Sequence, residues 1–291
     1  MKRIFLILMM SAIVLFSACT EIINNQESTT TEATEQSLIK IEENDAVITV
    51  NLTVAEGKRL IAKGIANHPQ IKELLKKGTI VITNGTTNTY IAEKLVNLSE
   101  PHGSFVTGHI VPNGRENISE GLTRLPYITI VDGKRVELSS EEAIKKLQKG
   151  DVIFKGANLL NYEKKQAAVC IGGASGGTMA RLQETEAHAI VPVGLEKETF
   201  GDLYNYAKLF DDYSGQTPPA PRIWVHSKEA EIFTEIEAIK TFAAVNVVPY
   251  AAGGVAGSEG GVSLIIYGKP DEVQKAFDFV TSAQGETPFV K

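Results

Sequence analysis

Residues 79–98 read Thr79-Ile-Val-Ile-Thr83-Asn84-Gly85-Thr86-Thr87-Asn88, then Thr89 to Leu98. The first five residues are short, apolar and β-branched, as a fully buried strand requires. Asn84-Gly85 breaks the run. Ile91, Leu95 and Leu98 then recur at helical spacing. A buried strand, a glycine turn and a helix make half of a βαβ unit.

The same order recurs along the chain. Before it, Asp45 to Leu52 alternates like a half-buried strand. Thr53-Val-Ala-Glu56 then has the capping-box pattern of a helix running to about Ala66. A short helix is predicted over Gln70 to Lys77. After it, Ser104–Val111 reads as a strand, and Leu125–Leu138 as a hairpin turned at Asp132-Gly133. Ser139-Ser-Glu-Glu142 opens another helix, closed by Gly150. Strands follow at Asp151–Lys155, Ala167–Ile171 and His188–Val193, with a helix over Thr178–Glu186. Strand–loop–helix–strand order implies an α/β fold: a mostly parallel, Rossmann-like sheet with helices on both faces. Beyond the Pro-rich boundary Gln216-Thr-Pro-Pro-Ala-Pro221, the order is strand (Arg222–His226), helix (Lys228–Phe242), strand (Val245–Tyr250), strand (Val262–Tyr267), helix (Pro270–Ala283). That order predicts a small α+β unit over 221–291 beside a main domain over 37–215.

The chain has 291 residues, 43% apolar and 22% charged, close to globular averages. Its net charge of −6, without a long basic run, argues against nucleic acid as a partner. Two cysteines exclude a disulfide framework or a cysteine-rich metal centre, and the five histidines form no HExxH pattern. No metal ligand set and no cofactor motif is read.

Lys2 and Arg3 precede an apolar run from Ile4 to Phe16, shorter than the roughly 20 residues a spanning helix needs. Leu15-Phe16-Ser17-Ala18-Cys19 resembles the lipobox of prokaryotic lipoproteins, with Phe16 where Leu, Val or Ile is usual. The resemblance implies a lipoprotein signal over residues 1–19, cleavage before Cys19 so that Cys19 becomes the mature N-terminus, diacylation of its thiol and anchoring at the outer side of the cell membrane. An ordinary secretory signal with an accidental Cys, or an uncleaved anchor, is the bland alternative. Residues 20–36, rich in Thr and Glu, have the composition of a flexible tether. Cys170, in an apolar run, reads as a small buried hydrophobe.

In open α/β sheets, ligands bind beyond the carboxyl ends of the strands. Three loops qualify. Gly85, Thr86 and Thr87 begin a helix whose free N–H groups and hydroxyls suit a phosphate or carboxylate, although a merely capped turn explains them equally well. Gly172-Gly-Ala-Ser-Gly-Gly-Thr178 has more glycine than a tight turn needs. Gly173, Ser175 and Gly176 are its candidate ligand contacts, and Ser175 matches Gly-x-Ser-x-Gly, with His188 or His226 as the histidine a nucleophilic serine needs. Gly253–Gly261 carries one carboxylate, Glu259, a candidate base or nucleophile. Lys155 and Glu196, at strand ends, complete the candidate catalytic set, and each alone reads as a solvated charge.

The strand-Asn84-Gly85-Thr86-Thr87-helix pattern, with Asp151-Val-Ile-Phe-Lys-Gly-Ala-Asn158, is similar to the superfamily of ribose-5-phosphate isomerase, glucosamine-6-phosphate deaminase and CoA-transferases. Ser258-Glu259-Gly260-Gly261 faintly resembles the segment around the CoA-transferase glutamate. The resemblance implies a Rossmann-like sheet and a small anionic ligand, held by Gly85, Thr86 and Thr87 at its phosphate and touched by Lys155. The isomerase's Asp-rich segment has no counterpart. The sequence therefore leaves two functions open: an exported, lipid-anchored binder of a small anion, isomerase-like or transferase-like in its chemistry if catalytic, and a non-catalytic surface scaffold or solute receptor.

Overall fold

A computed structural model describes residues 39–107, 118–171, 177–212 and 222–289. From Glu42 onward the chain forms one compact unit. Its centre is a six-stranded sheet in the order β10-β8-β5-β2-β3-β4. The strands are β2 (Thr79–Ile82), β3 (Ile128–Val131), β4 (Lys134–Val136), β5 (Val152–Phe154), β8 (His188–Pro192) and β10 (Glu231–Phe233). β2, β5, β8 and β10 are mutually parallel, whereas β3 and β4 add an antiparallel hairpin at one edge. The sheet is thus mixed. The hairpin turns where the sequence places it, with Asp132 at φ 48° and Gly133 at φ 75°, the left-handed pair a type I′ turn needs.

Both faces of this sheet are covered. Ile80, Ile82, Val152, Phe154 and Ile190 belong to the main core with Leu60, Ile61 and Ile65 of α1 (Val54–Asn67) and Tyr90 and Ile91 of α3 (Thr86–Val96). On the other face Val81 and Ile153 pack with Ala143, Ile144 and Leu147 around α4 (Ser140–Lys146). Alternate residues of one strand face opposite ways, so strands covered twice must be apolar throughout. All four residues of β2 are buried accordingly.

The capping boxes at Thr53/Glu56 and Ser139/Glu142 are both formed. α2 (Pro69–Lys76) follows α1 directly. Gly57 and Gly64 lie two turns apart on α1. A Cβ at Gly64 would sit 2.5 Å from the Ala238 backbone of α7 (Glu235–Lys240) and 3.2 Å from Phe233. Small residues at this spacing let the two helices approach closely.

Two smaller antiparallel sheets flank the centre. One is β1 (Ala46–Leu52), β12 (Val262–Gly268) and β11 (Asn246–Ala252), backed by α8 (Pro270–Thr281). The other is β6 (Leu159–Asn161), β7 (Gln166–Ile171) and β9 (Arg222–Val225). The segment after 221 therefore does not stand apart as an α+β unit. β9 completes the sheet of β7, β10 extends the central sheet, and β11 and β12 pair with each other and with β1.

Other differences are local. Within 102–107 there is a 3-10 turn at His102–Phe105 rather than a strand, and the rest of the strand expected there lies outside the described residues. The helix expected over 228–242 is shorter. Residues 231–233 join β8 as a strand, and a third capping box, Thr234/Glu237, restarts the helix. α5 (Thr178–Arg181) gives way to a 3-10 turn, and α6 (Leu203–Asp212) has no counterpart in the sequence reading. Cys170 is half-buried rather than buried. No helix among the described residues is long and apolar enough to cross a membrane.

Candidate functional site

The four parallel strands end side by side and hydrogen bonds lock their ends together. The Thr83 N–H and hydroxyl both donate to the Phe154 carbonyl, at 3.1 and 2.9 Å. The Lys155 N–H donates to Ile190 at 3.2 Å, and the Val193 N–H to Phe233 at 3.1 Å. The Leu195 N–H donates to Oε2 of Glu235 at 3.0 Å. Adjacent registers thus bring the Asn84–Thr87 turn, Lys155, the Gly194–Lys197 turn and Glu235 to the carboxyl edge of one sheet, where α/β proteins bind ligands. Lys58 joins them from α1, interacting electrostatically with Lys197, Glu196 and Glu235.

Three ammonium groups and two carboxylates meet here. Lys197 Nζ lies 3.3 Å from Glu196 Oε1, an ion pair without hydrogen-bond geometry, so that buried oxygen still lacks a hydrogen-bond donor. Glu196 folds back over Gly194, where a Cβ would overlap its carboxylate. Glu235 is only 2% exposed. Burial foremost, then the charge of Glu196, pushes its carboxyl well above the usual range, against the opposing Leu195 N–H. Lys58 is 8% exposed, and Lys58 and Lys155 make no ion pair within 4 Å among the described residues. Burial first and Lys197 second push each down to about 8, with Glu196 and Glu235 partly offsetting this at Lys58.

His226, just after β9, backs Lys155. Its Nε2 lies 3.3 Å from the Gly156 carbonyl, while the buried Nδ1 has no partner. Burial, reinforced by the Lys155 charge, pushes the imidazole down to about 4. At neutral pH the ring is uncharged. Nε2–H donates to Gly156, and Nδ1 offers a lone pair.

The Asn84-Gly85-Thr86-Thr87 turn lies next to Lys155 through Phe154. Asn88 secures it, donating to the carbonyls of Thr83 at 2.8 Å and Phe154 at 3.3 Å. Gly85 occupies the N-cap of α3 without a side-chain cap. Asn88 ties strand to strand, and the N–H groups of Thr86, Thr87 and Asn88 have no acceptor among the described residues. Such a row of free N–H groups can receive an anion.

The structure therefore brings Lys155, Glu196, Gly85, Thr86 and Thr87 to one edge. It does not bring Glu259 there. Glu259 sits in the exposed β11–β12 loop, its carboxylate accepting a 2.9 Å bond from the Gly257 N–H. That places it on the rim of a cavity it shares with Lys58. Gly173, Ser175 and Gly176, like Cys19, lie outside the described residues. Of the histidines considered with Ser175, His188 bonds Gln70 at the opposite end of β8, and only His226 is at the carboxyl edge. The sequence reading missed Lys58 and Glu235. A signal for Glu235 was present in Thr234-Glu-Ile-Glu237, whose capping box marks a strand–helix junction.

The fold and the cluster define an α/β protein with a charged site at the carboxyl ends of its parallel strands. No protein-family model, curated protein or solved structure matches the chain.

Proposed function

We propose that this chain binds a small anionic ligand, of the sugar-phosphate or carboxylate kind, at the carboxyl edge of β2, β5, β8 and β10. The observation that carries this reading is the imbalance of charge there. Lys58 is buried and Lys155 half-buried, neither has an ion-pair partner among the described residues, Lys197 adds a third ammonium, and burial favours the neutral form of Glu235. Desolvated cations cost free energy unless paired, so an incoming anion gains what the fold leaves uncompensated. The free N–H groups at Thr86 and Thr87 favour the same charge. The Rossmann-like likeness read from residues 79–98 and 151–158 belongs to this proposal and is compatible with the four adjacent parallel strands.

The test is a thermal-shift panel on the whole chain with sugar phosphates, carboxylates, nucleotides and CoA esters. A ligand at 100 times its dissociation constant stabilises the fold by about 2.7 kcal/mol. The expected result is a shift that Lys155→Gln and Thr86→Ala each reduce. A panel without any shift sinks the reading and favours a scaffold or receptor of another chemistry.

One observation favours catalysis over binding alone. Burial and the charge of Glu196 favour the protonated form of Glu235, and a carboxyl so placed can serve as a general acid. Isomerase-like or transferase-like chemistry would use Glu235 as the proton donor, with Glu196 beside it. Turnover lost in Glu235→Gln with ligand affinity retained supports this. Affinity without turnover supports a receptor.

We further propose export and lipid anchoring through Cys19, on the strength of the basic head, the apolar run and Ser17-Ala18-Cys19. Incorporation of labelled fatty acid, abolished in Cys19→Ser, tests it. Unlabelled protein in both forms overturns it.

A further inference from the structure

A second feature adjoins the charged edge. A cavity of about 220 Å³ opens at the start of α1, lined by Thr53, Val54, Ala55 and Lys58, by Gly257 and Glu259 of the β11–β12 loop, and by Pro288 and Phe289. Its volume is below the roughly 300–1,000 Å³ of sites for drug-sized ligands, so its occupant is small.

The chemistry of the lining is polarised. Thr53 Oγ1 accepts from the Glu56 N–H at 3.3 Å, and the Gly57 N–H donates to Thr53. The N–H groups of Val54 and Ala55, in the first turn of this 14-residue helix, have no acceptor among the described residues. They carry the partial positive charge of the helix start. Lys58, 8% exposed, is a wall of the same cavity and makes no hydrogen bond or ion pair with a described residue. A buried lysine and two free N–H groups in one lining suit an anion.

The same lining also carries an acid, Glu259. Glu259 rests one carboxylate oxygen, Oε2, on the Gly257 N–H. Glu259 and Lys58 make no ion pair with each other within 4 Å. Val54, Ala55, Pro288 and Phe289 add apolar surface to the lining. The tail bearing Phe289 is held in place: the Gly285 N–H donates to Glu56 at 2.7 Å, Glu286 pairs with Arg59 at 2.7 Å, and Phe289 stacks on His102 at 4.7 Å between ring centres.

We propose that this cavity binds a small α-amino or α-hydroxy acid, its carboxylate on Lys58 and the N–H groups of Val54 and Ala55 and its α-substituent donating to Glu259. This rests on the reading of the adjoining edge as an anion site, because Lys58 belongs to both. An amino group or a hydroxyl satisfies the same acceptor, and the choice of ligands below separates them. A plain carboxylic acid brings Glu259 no donor, and an amide leaves Lys58 without an anion.

The experiment is calorimetric titration of the whole chain with alanine, lactate, propionate and alaninamide. The expected order is alanine or lactate at least tenfold tighter than propionate or alaninamide. Lys58→Gln should weaken binding at least tenfold. Glu259→Gln, on an exposed loop where folding is not at stake, should reduce alanine or lactate to the level of propionate. Equal affinity for propionate and alanine, or affinities unchanged in Glu259→Gln, overturns the proposal. Lys155→Gln separates the two readings. If anions bind without preference for alanine or lactate over propionate, are unaffected by Glu259→Gln and are weakened by Lys155→Gln, the edge site stands and the cavity assignment fails. If no anion binds at all, both fail.

Discussion

Oε2 of Glu235 accepts a 3.0 Å hydrogen bond from the N–H of Leu195, one residue before Glu196. This bond fastens the first residue of α7 to the turn after β8 and sets the two carboxylates side by side. Glu235→Ala leaves that N–H without its acceptor, which costs about 1–3 kcal/mol. Glu235→Gln keeps an acceptor and mimics the neutral carboxyl. Because the folded carboxyl keeps its proton to a higher pH than the unfolded one, wild-type stability falls as pH rises from about 4.5 into that raised range. Urea titrations at several pH values should show Glu235→Gln gaining on wild type across this window. Parallel pH profiles would show that Glu235 is ionised in the fold.

The two glycines of α1 predict different outcomes. At Gly64 an added Cβ meets the Ala238 backbone, which has no room to move. Gly64→Ala should destabilise by about 1–3 kcal/mol, overriding the better helix propensity of alanine. At Gly57 the obstacle is the end of the Glu235 side chain. Gly57→Ala should therefore shift the Glu235 carboxyl without severing its Oε2 bond to Leu195, cost less stability than Gly64→Ala and weaken ligand binding. Denaturation midpoints and a binding titration on both variants check this. Equal stability losses would argue against the contrast.

The sequence showed those parts of the molecule that leave a local trace. Asp132-Gly133 announced its hairpin because only a few residue types accept a left-handed pair. Thr79–Thr83 announced a buried strand because both of its faces are covered. Lys155 and Glu196 were legible because they follow strands directly. Lys58 was not: inside Glu56-Gly-Lys-Arg59 it reads as one more solvated charge, and only the packing of α1 against α7 buries it. The pairing of β1 with β12 was hidden for a related reason. Its partners, such as Val50 and Leu264, lie more than 200 residues apart, and nothing local in either strand names the other. The same gap made the C-terminal segment look like a unit of its own.

Lys58 also carries a cost that substitution should reveal. Unfolded, its amine titrates near 10.5; folded, near 8. Below pH 8 the fold holds a buried charge, and stability recovers as pH rises from 8 to 10.5, where the unfolded chain binds more protons. A tenfold change in proton affinity between the two states is worth about 1.4 kcal/mol. Lys58→Met should then stabilise the protein by about 1–3 kcal/mol at pH 7, with the difference closing by pH 10.5, while weakening anion binding. Loss of stability at pH 7 would mean that Lys58 is already compensated by its neighbours.

His226 works in the other pH range. Burial and Lys155 hold the folded imidazole near 4, against 6.5 unfolded. Between these values the unfolded chain binds the extra proton, so stability is complete above about 6.5 and is lost as pH falls toward 4, by about 2–3 kcal/mol from this one group. His226→Gln keeps a donor for the Gly156 carbonyl and should flatten the acid limb. Proton NMR of the ring should give a midpoint near 4 that moves upward in Lys155→Gln, because the second cause of the shift has been removed. A midpoint near 6.5 would show that the ring is open to water. A low midpoint that ignores Lys155→Gln would show that burial acts alone, and would separate His226 from the charged edge it adjoins.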